Sequence, residues 1–184
     1  MVIDIHAHPL LLDEINENPE DLQFRRQEFG VFKSGINPVD FELVLLEDAK
    51  IDKVVFLPED YSTEVGRAIV SNDEMARIVA RSPEHFIGFA GIDPRREDAE
   101  TELIRAFDEL KLAGLKLNLS RLHMYPDDAC LAPLYKICQD KNKPVMFHAG
   151  YSWEPNTPAK NSEPIRFEDV AVEYPDLRFC LAHM

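Results

Sequence analysis

Six short apolar runs separated by amphipathic stretches predict an α/β fold for this 184-residue chain. The runs are continuous in Val, Ile, Leu and Phe, as expected of parallel strands covered on both faces. The first ends in "HAHP", where a doubly wound nucleotide-binding sheet would carry a glycine-rich loop. These observations favour a (β/α)8 barrel with about six of its eight βα units present, in a single domain over residues 1–184.

The elements follow in order. "VIDI" (2–5) is the first strand, and residues 9–37 form a polar, aromatic-spotted insertion that could serve as a lid. "NPVDFELVLLEDAKI" opens a helix, with Asn37 as N-cap and Pro38 in the first turn. "KVVFLP" (53–58) is the second strand, and Ser71 to Arg81 falls in the next helix. "FIGFAGIDP" (86–94) is the third strand. The helix after it places Leu103, Ile104, Phe107 and Leu110 at helical spacing. "GLKLNL" (114–119) and "PVMFH" (144–148) are the fourth and fifth strands, with the helix "DDACLAPLYKICQDKN" between them. "RFEDVAVEY" is the last helix, and "LRFCLAH" the sixth strand.

Composition narrows the function. Hydrophobic residues make up 45% and charged residues 29% of the chain, which reads as globular. The formal net charge of -14 argues against nucleic acid and anionic membranes as partners, leaving a small-molecule substrate. No apolar run approaches the roughly 18 residues of a membrane span. The start, "MVIDIHAHPL", has no basic leader. Cys130, Cys138 and Cys180 form no CxxC pattern and read as reduced thiols. The expected location is cytoplasmic.

Four of the six histidines close strands: His6 and His8 the first, His148 the fifth, His183 the sixth. In a parallel barrel those ends meet on one face, where active sites are built. Residues i and i+2 of a strand point the same way, so His6 and His8 project together about 6–7 Å apart along the strand, with Asp4 one layer below. Two such imidazoles can grip one metal ion, and a third from another strand helps complete the site. Three protein ligands plus water is a common catalytic-zinc arrangement. His85 precedes the third strand, at the opposite end, and reads as structural. His123 reads as a surface-loop residue. Lys116 points inward in phase with Asn118, as a substrate anchor, a carboxylated metal ligand, or a lysine paired with an acid such as Asp4.

"IDIHAHP", "GFAGIDP", "AGLKLN", "YPDD…LAPLYKIC…KPVMFHAG" and "FEDVAVEYPDLRFCLAHM" resemble the amidohydrolase superfamily. The branch they resemble contains the aminocarboxymuconate-semialdehyde and dihydroxybenzoate-type decarboxylases. The match runs over nearly the whole chain except residues 9–37. By position, the resemblance implies His6, His8 and His148 as ligands of one divalent ion, zinc first and manganese second. It implies His183 as an acid/base near the metal-bound water. The branch's remaining essential group, an aspartate at the end of strand eight, has no counterpart in this sequence. A barrel takes about 250 residues, so strands seven and eight are expected beyond Met184. The implied activity is hydrolysis or non-oxidative decarboxylation of a small, carboxylate-bearing molecule, with the metal lowering the pKa of bound water. The branch also allows a homodimer, by analogy.

A carboxylate would want a basic anchor, and Arg25, Arg26, Arg121 and Lys116 are the candidates. Trp153 could wall a flat substrate. Phe24, Phe29 and Phe32 in the insertion read as a packing face. Two rival readings differ in class. One is a truncated, non-catalytic metal-binding module. The other is a TatD-like deoxyribonuclease, weakened by Lys116 standing where that branch carries a glutamate.

Overall fold

The structure, a computed structural model, describes residues 1–152, 154 and 156–183. Its strands are β1 (Ile3–Ala7), β2 (Lys53–Phe56), β3 (Phe86–Gly88), β4 (Ala90–Gly91), β5 (Leu115–Leu117), β6 (Val145–His148) and β7 (Phe179–Ala182). All pair in parallel and in chain order, as β1-β2-β3 and β4-β5-β6-β7. This is the strand order of a (β/α)8 barrel, carried through six of its positions.

The predicted third strand is broken in two at Phe89. Its N–H donates to the Phe56 carbonyl at 3.0 Å, while the Ala90 N–H donates to Gly114 on the other side at 2.7 Å. The break turns the Phe89 side chain into a small interior cluster with Val55, Leu57 and Met146. A row of aligned residues, Gly91, Lys116, Met146 and Cys180, crosses the second sheet.

The helices are α1 (Pro19–Glu28), α2 (Val39–Ala49), α3 (Ser62–Val65), α4 (Asn72–Arg81), α5 (Ala99–Asp108), α6 (Leu119–Leu122), α7 (Ala132–Asp140) and α8 (Glu168–Glu173). The main core lies between them and the strands, with Leu103, Ile78, Leu115, Val145 and Phe147 essentially sealed. The α4 start is a capping box. The Ser71 hydroxyl accepts from the Glu74 N–H at 3.3 Å, and the Glu74 carboxylate accepts from the Ser71 N–H at 2.8 Å.

One local expectation is corrected. Asn37 does not cap α2. Pro38 holds the cap position without a side-chain bond, and the Val39 N–H donates to the Asp13 carboxylate at 2.9 Å. Inside the insertion lies α1. Asn18 caps that helix through the Glu20 N–H at 2.9 Å, with Pro19 in the first turn.

The three cysteines are free thiols, Cys138 buried and the other two exposed. No helix among the described residues is long and apolar enough to cross a membrane.

Candidate metal centre

His6 and His8 stand where β1 ends, and their Nε2 atoms face each other at 3.2 Å. Two nitrogens on one tetrahedral zinc, each bound at about 2.0–2.1 Å, stand about 3.3 Å apart. The Nδ1 of His8 lies 2.9 Å from the Leu57 carbonyl oxygen at the end of β2. A carbonyl only accepts, so Nδ1 carries the proton and Nε2 offers a lone pair, as metal-bound histidines are commonly oriented. His148, closing β6, is buried, and its Nε2 has no partner among the described residues. His183, just past β7, brings its ring within 4.5 Å of His6 and 5.3 Å of His148, centre to centre. Rings from the two edge strands therefore meet over the open end of the barrel.

The pair fits a metal in spacing and chemistry, and His8 also in tautomer. The set is not a finished cage: among the described residues, no three His, Cys, Asp or Glu donors converge to hold an ion.

Electrostatics keep these imidazoles neutral. Burial, then the charge of Lys116, pushes His6 down to about 3, and His8 and His148 down to about 4. The same two causes lower His183. Neutral imidazole is the form that binds a metal.

Lys116 on β5 is 2% exposed, and its Nζ has no hydrogen-bond partner among the described residues. The charges facing it are Glu59 and Glu154, not Asp4. Asp4 is exposed and accepts the His6 N–H at 3.0 Å. β1 shifts register between Asp4 and Ala7, so simple alternation does not carry Asp4 into the cluster. Glu59, just past β2, is 4% exposed, and burial raises its carboxyl to about 8 against the pull of Lys116. Its Oε1 accepts from Asn118 at 3.4 Å, while Oε2 has no partner. Burial also raises Glu154.

The histidines and the two glutamates line one cleft of 520 Å³, while Lys116 and Asp4 do not line it. The four histidines, Glu59, Asn118 and Glu154 form its polar side, and Leu10, Phe29 and Val31 from the insertion face them. The Phe29 ring leans on His8 at 5.7 Å.

The other predicted anchors are committed elsewhere. Arg121 pairs with Glu64 at 2.6 Å and Glu28 at 3.5 Å, and its guanidinium lies 4.9 Å over the Tyr61 ring. Two carboxylates already satisfy it, which speaks against a substrate anchor. Arg25 is buried, donating to the Ile69 and Ile15 carbonyls and pairing with Glu74 at 2.5 Å. Arg26 donates to the Ser34 carbonyl. Trp153 lies outside the described residues. His85 contacts the Asp52 carbonyl at 2.9 Å at the opposite strand end, and His123 is an exposed helix-end residue. Phe24 stacks under Arg67, and Phe32 is exposed.

Glu59 and Glu154 were not among the residues expected from the sequence, whereas Phe29 belongs to the insertion expected to pack or to form a lid. The signal for Glu59 was present: "VVFLPED" runs a strand directly into an acid on the face where barrel sites form.

The sequence profile of the amidohydrolase family (Amidohydro_2) matches residues 3–184, and the chain belongs to that family. A curated relative, 2-amino-3-carboxymuconate-6-semialdehyde decarboxylase of Dictyostelium discoideum, is 27% identical over 128 residues. That alignment covers 61% of this chain and 36% of the relative. Among solved structures, 4-oxalomesaconate hydratase from Rhodopseudomonas palustris superposes with a TM-score of 0.71 at 20% identity, covering 100% of this chain and 63% of that one. A dihydroxybenzoic acid decarboxylase from Polaromonas sp. JS666, with bound manganese and the inhibitor 2-nitroresorcinol, gives 0.63 at 20% identity, covering 98% and 64%. At such identities the structural likeness speaks for the fold, an incomplete TIM barrel. The chain spans about two-thirds of the length of these structures and about one-third of the curated relative.

Proposed function

We propose that this chain carries the histidine face of a metal-dependent carboxy-lyase acting on a small unsaturated or aromatic acid. The observation that carries the reading is the facing His6–His8 pair beside the buried Lys116, whose Nζ has no partner among the described residues. His6, His8 and His148 would hold one divalent ion, zinc or manganese. When bound, it supplies Lewis acidity toward a substrate oxygen.

The chain's own residues do the rest. Burial lowers the pKa of Lys116, which has no counter-ion in contact among the described residues, so an anionic ligand beside it would stabilise the ammonium form. In that form it would attract the substrate carboxylate. His183, neutral and beside His6, can accept or return a proton at the substrate's oxygen. Leu10, Phe29 and Val31 would cover the apolar part of the substrate and exclude water. The decarboxylase and hydratase names among the relatives support a carboxylate substrate. Glu59 and Glu154 lining the cleft disfavour a nucleic-acid backbone.

The test uses the metal-loaded protein with two probes, 2-amino-3-carboxymuconate 6-semialdehyde and dihydroxybenzoates. Release of CO2 that disappears on chelation supports the reading. A folded, metal-loaded protein that releases none contradicts it.

A further inference from the structure

Besides the His148 Nε2 described above, two buried polar atoms in this site have no partner among the described residues: the Nζ of Lys116 and the Oε2 of Glu59. They belong to neighbouring groups of opposite charge type, yet no ion pair joins them. Glu59 lines the cleft, while Lys116 is 2% exposed and is not among the lining residues. Asn118 engages only Oε1 of Glu59, leaving Oε2 for something in the cleft. The other charges that face Glu59 are accounted for. Arg121 is neutralised by Glu64 and Glu28, and Glu154 lies on the loop after β6.

We propose that Glu59 is the acid that protonates the carbon losing CO2, and that Lys116 balances first the substrate carboxylate and then the Glu59 carboxylate. The inference rests on the carboxy-lyase reading above. In the step, the C–C bond to the carboxylate breaks and CO2 leaves uncharged. The bonding pair stays on the carbon. The O–H bond of Glu59 breaks as the new C–H bond forms. No oxidant or reductant takes part, and water restores the Glu59 proton after the product leaves.

Charge balance is the physical reason for this pairing. Taking only Lys116, Glu59 and the carboxylate that leaves, one ammonium faces one carboxylate before the step and one carboxylate after it, so the buried ammonium keeps a counter-charge throughout. The upward shift of Glu59 by burial keeps the proton in place at neutral pH.

The test compares wild type, E59Q and E59D in the metal-loaded protein, using the probe acids named above. Removing a general acid typically lowers turnover by about 10²–10⁴-fold. E59Q should show a loss in that range in kcat with KM little changed, and should lose an alkaline limb near pH 8 that wild type displays. E59D should recover part of the rate, which a purely structural residue would not produce. Independently, infrared difference spectra of wild type against E59Q should show a protonated carboxyl below neutral pH. Equal CO2 release from wild type and E59Q, or an ionised Glu59 below neutral pH, overturns the proposal alone. A wild type that releases no CO2 overturns the carboxy-lyase reading and the proposal with it.

Discussion

Gly150 and His183 are packed backbone to backbone. A Cβ added to Gly150 would stand 2.7 Å from the His183 carbonyl oxygen. Gly150 also has φ +83°, and it is pinned on both sides by Ser162. Its N–H donates to the Ser162 carbonyl at 2.8 Å, and its carbonyl accepts from the Ser162 hydroxyl at 2.7 Å. A side chain here meets a disfavoured backbone region and a fixed neighbour at once. G150A is expected to lower stability by roughly 1–2 kcal/mol from the backbone alone, and to displace His183. Thermal unfolding measures the first effect and turnover the second.

Arg121 ties the insertion to the barrel. Its ion pairs reach Glu28 at the end of α1 and Glu64 in α3. Phe29, the next residue, is the cleft wall against His8. R121Q should leave affinity for a carboxylate substrate nearly unchanged and loosen residues 9–37. Hydrogen exchange should rise across the insertion. A large, selective increase in KM without faster exchange would return Arg121 to the role of substrate anchor.

Lys116 should behave oppositely. A hydrogen bond to a charged group contributes about 1.5–3 kcal/mol, so K116M should weaken substrate binding by about 10–150-fold. The apolar replacement suits a site that is 2% exposed, so folding should survive. Isothermal titration with a probe acid reads the affinity directly.

The stability of the metal-free protein should depend on pH from two directions. His6, His8 and His148 have native pKa values of about 3 to 4, below their ordinary 6.5. Between those values the unfolded chain binds more protons, so their contribution is intact above about 6.5 and is lost as pH falls toward 4. Glu59 is raised from 4.5 to about 8, so the native state binds more protons in that window. Its contribution is intact below 4.5 and declines as pH rises toward 8. Denaturant melts should therefore show E59Q removing the decline between 4.5 and 8 while keeping the acid-side loss. An E59Q protein with the wild-type slope would contradict the burial argument.

Much of the architecture was legible because the buried strands are continuous apolar runs. His6, His8, His148 and His183 declared themselves by closing those runs. The break at Phe89 was not legible, since Phe suits a strand whether its ring faces the helices or the interior. Helix α1 was hidden by a low apolar content, although Asn18 and Pro19 marked its start. Glu59 was hidden for a different reason. An acid after a strand resembles any turn residue until Lys116, Asn118 and the cleft are placed around it. The ion pairs of Arg121 were not legible because its partners, Glu28 and Glu64, lie 93 and 57 positions away in the chain.

The most direct test of the account is metal content by equilibrium dialysis against zinc and against manganese, comparing the wild-type protein with an H6A/H8A double variant. The account predicts about one ion per chain in wild type and none above background in the variant. Wild type without bound metal, or a variant that binds as tightly, would contradict a metal centre built on the His6–His8 pair.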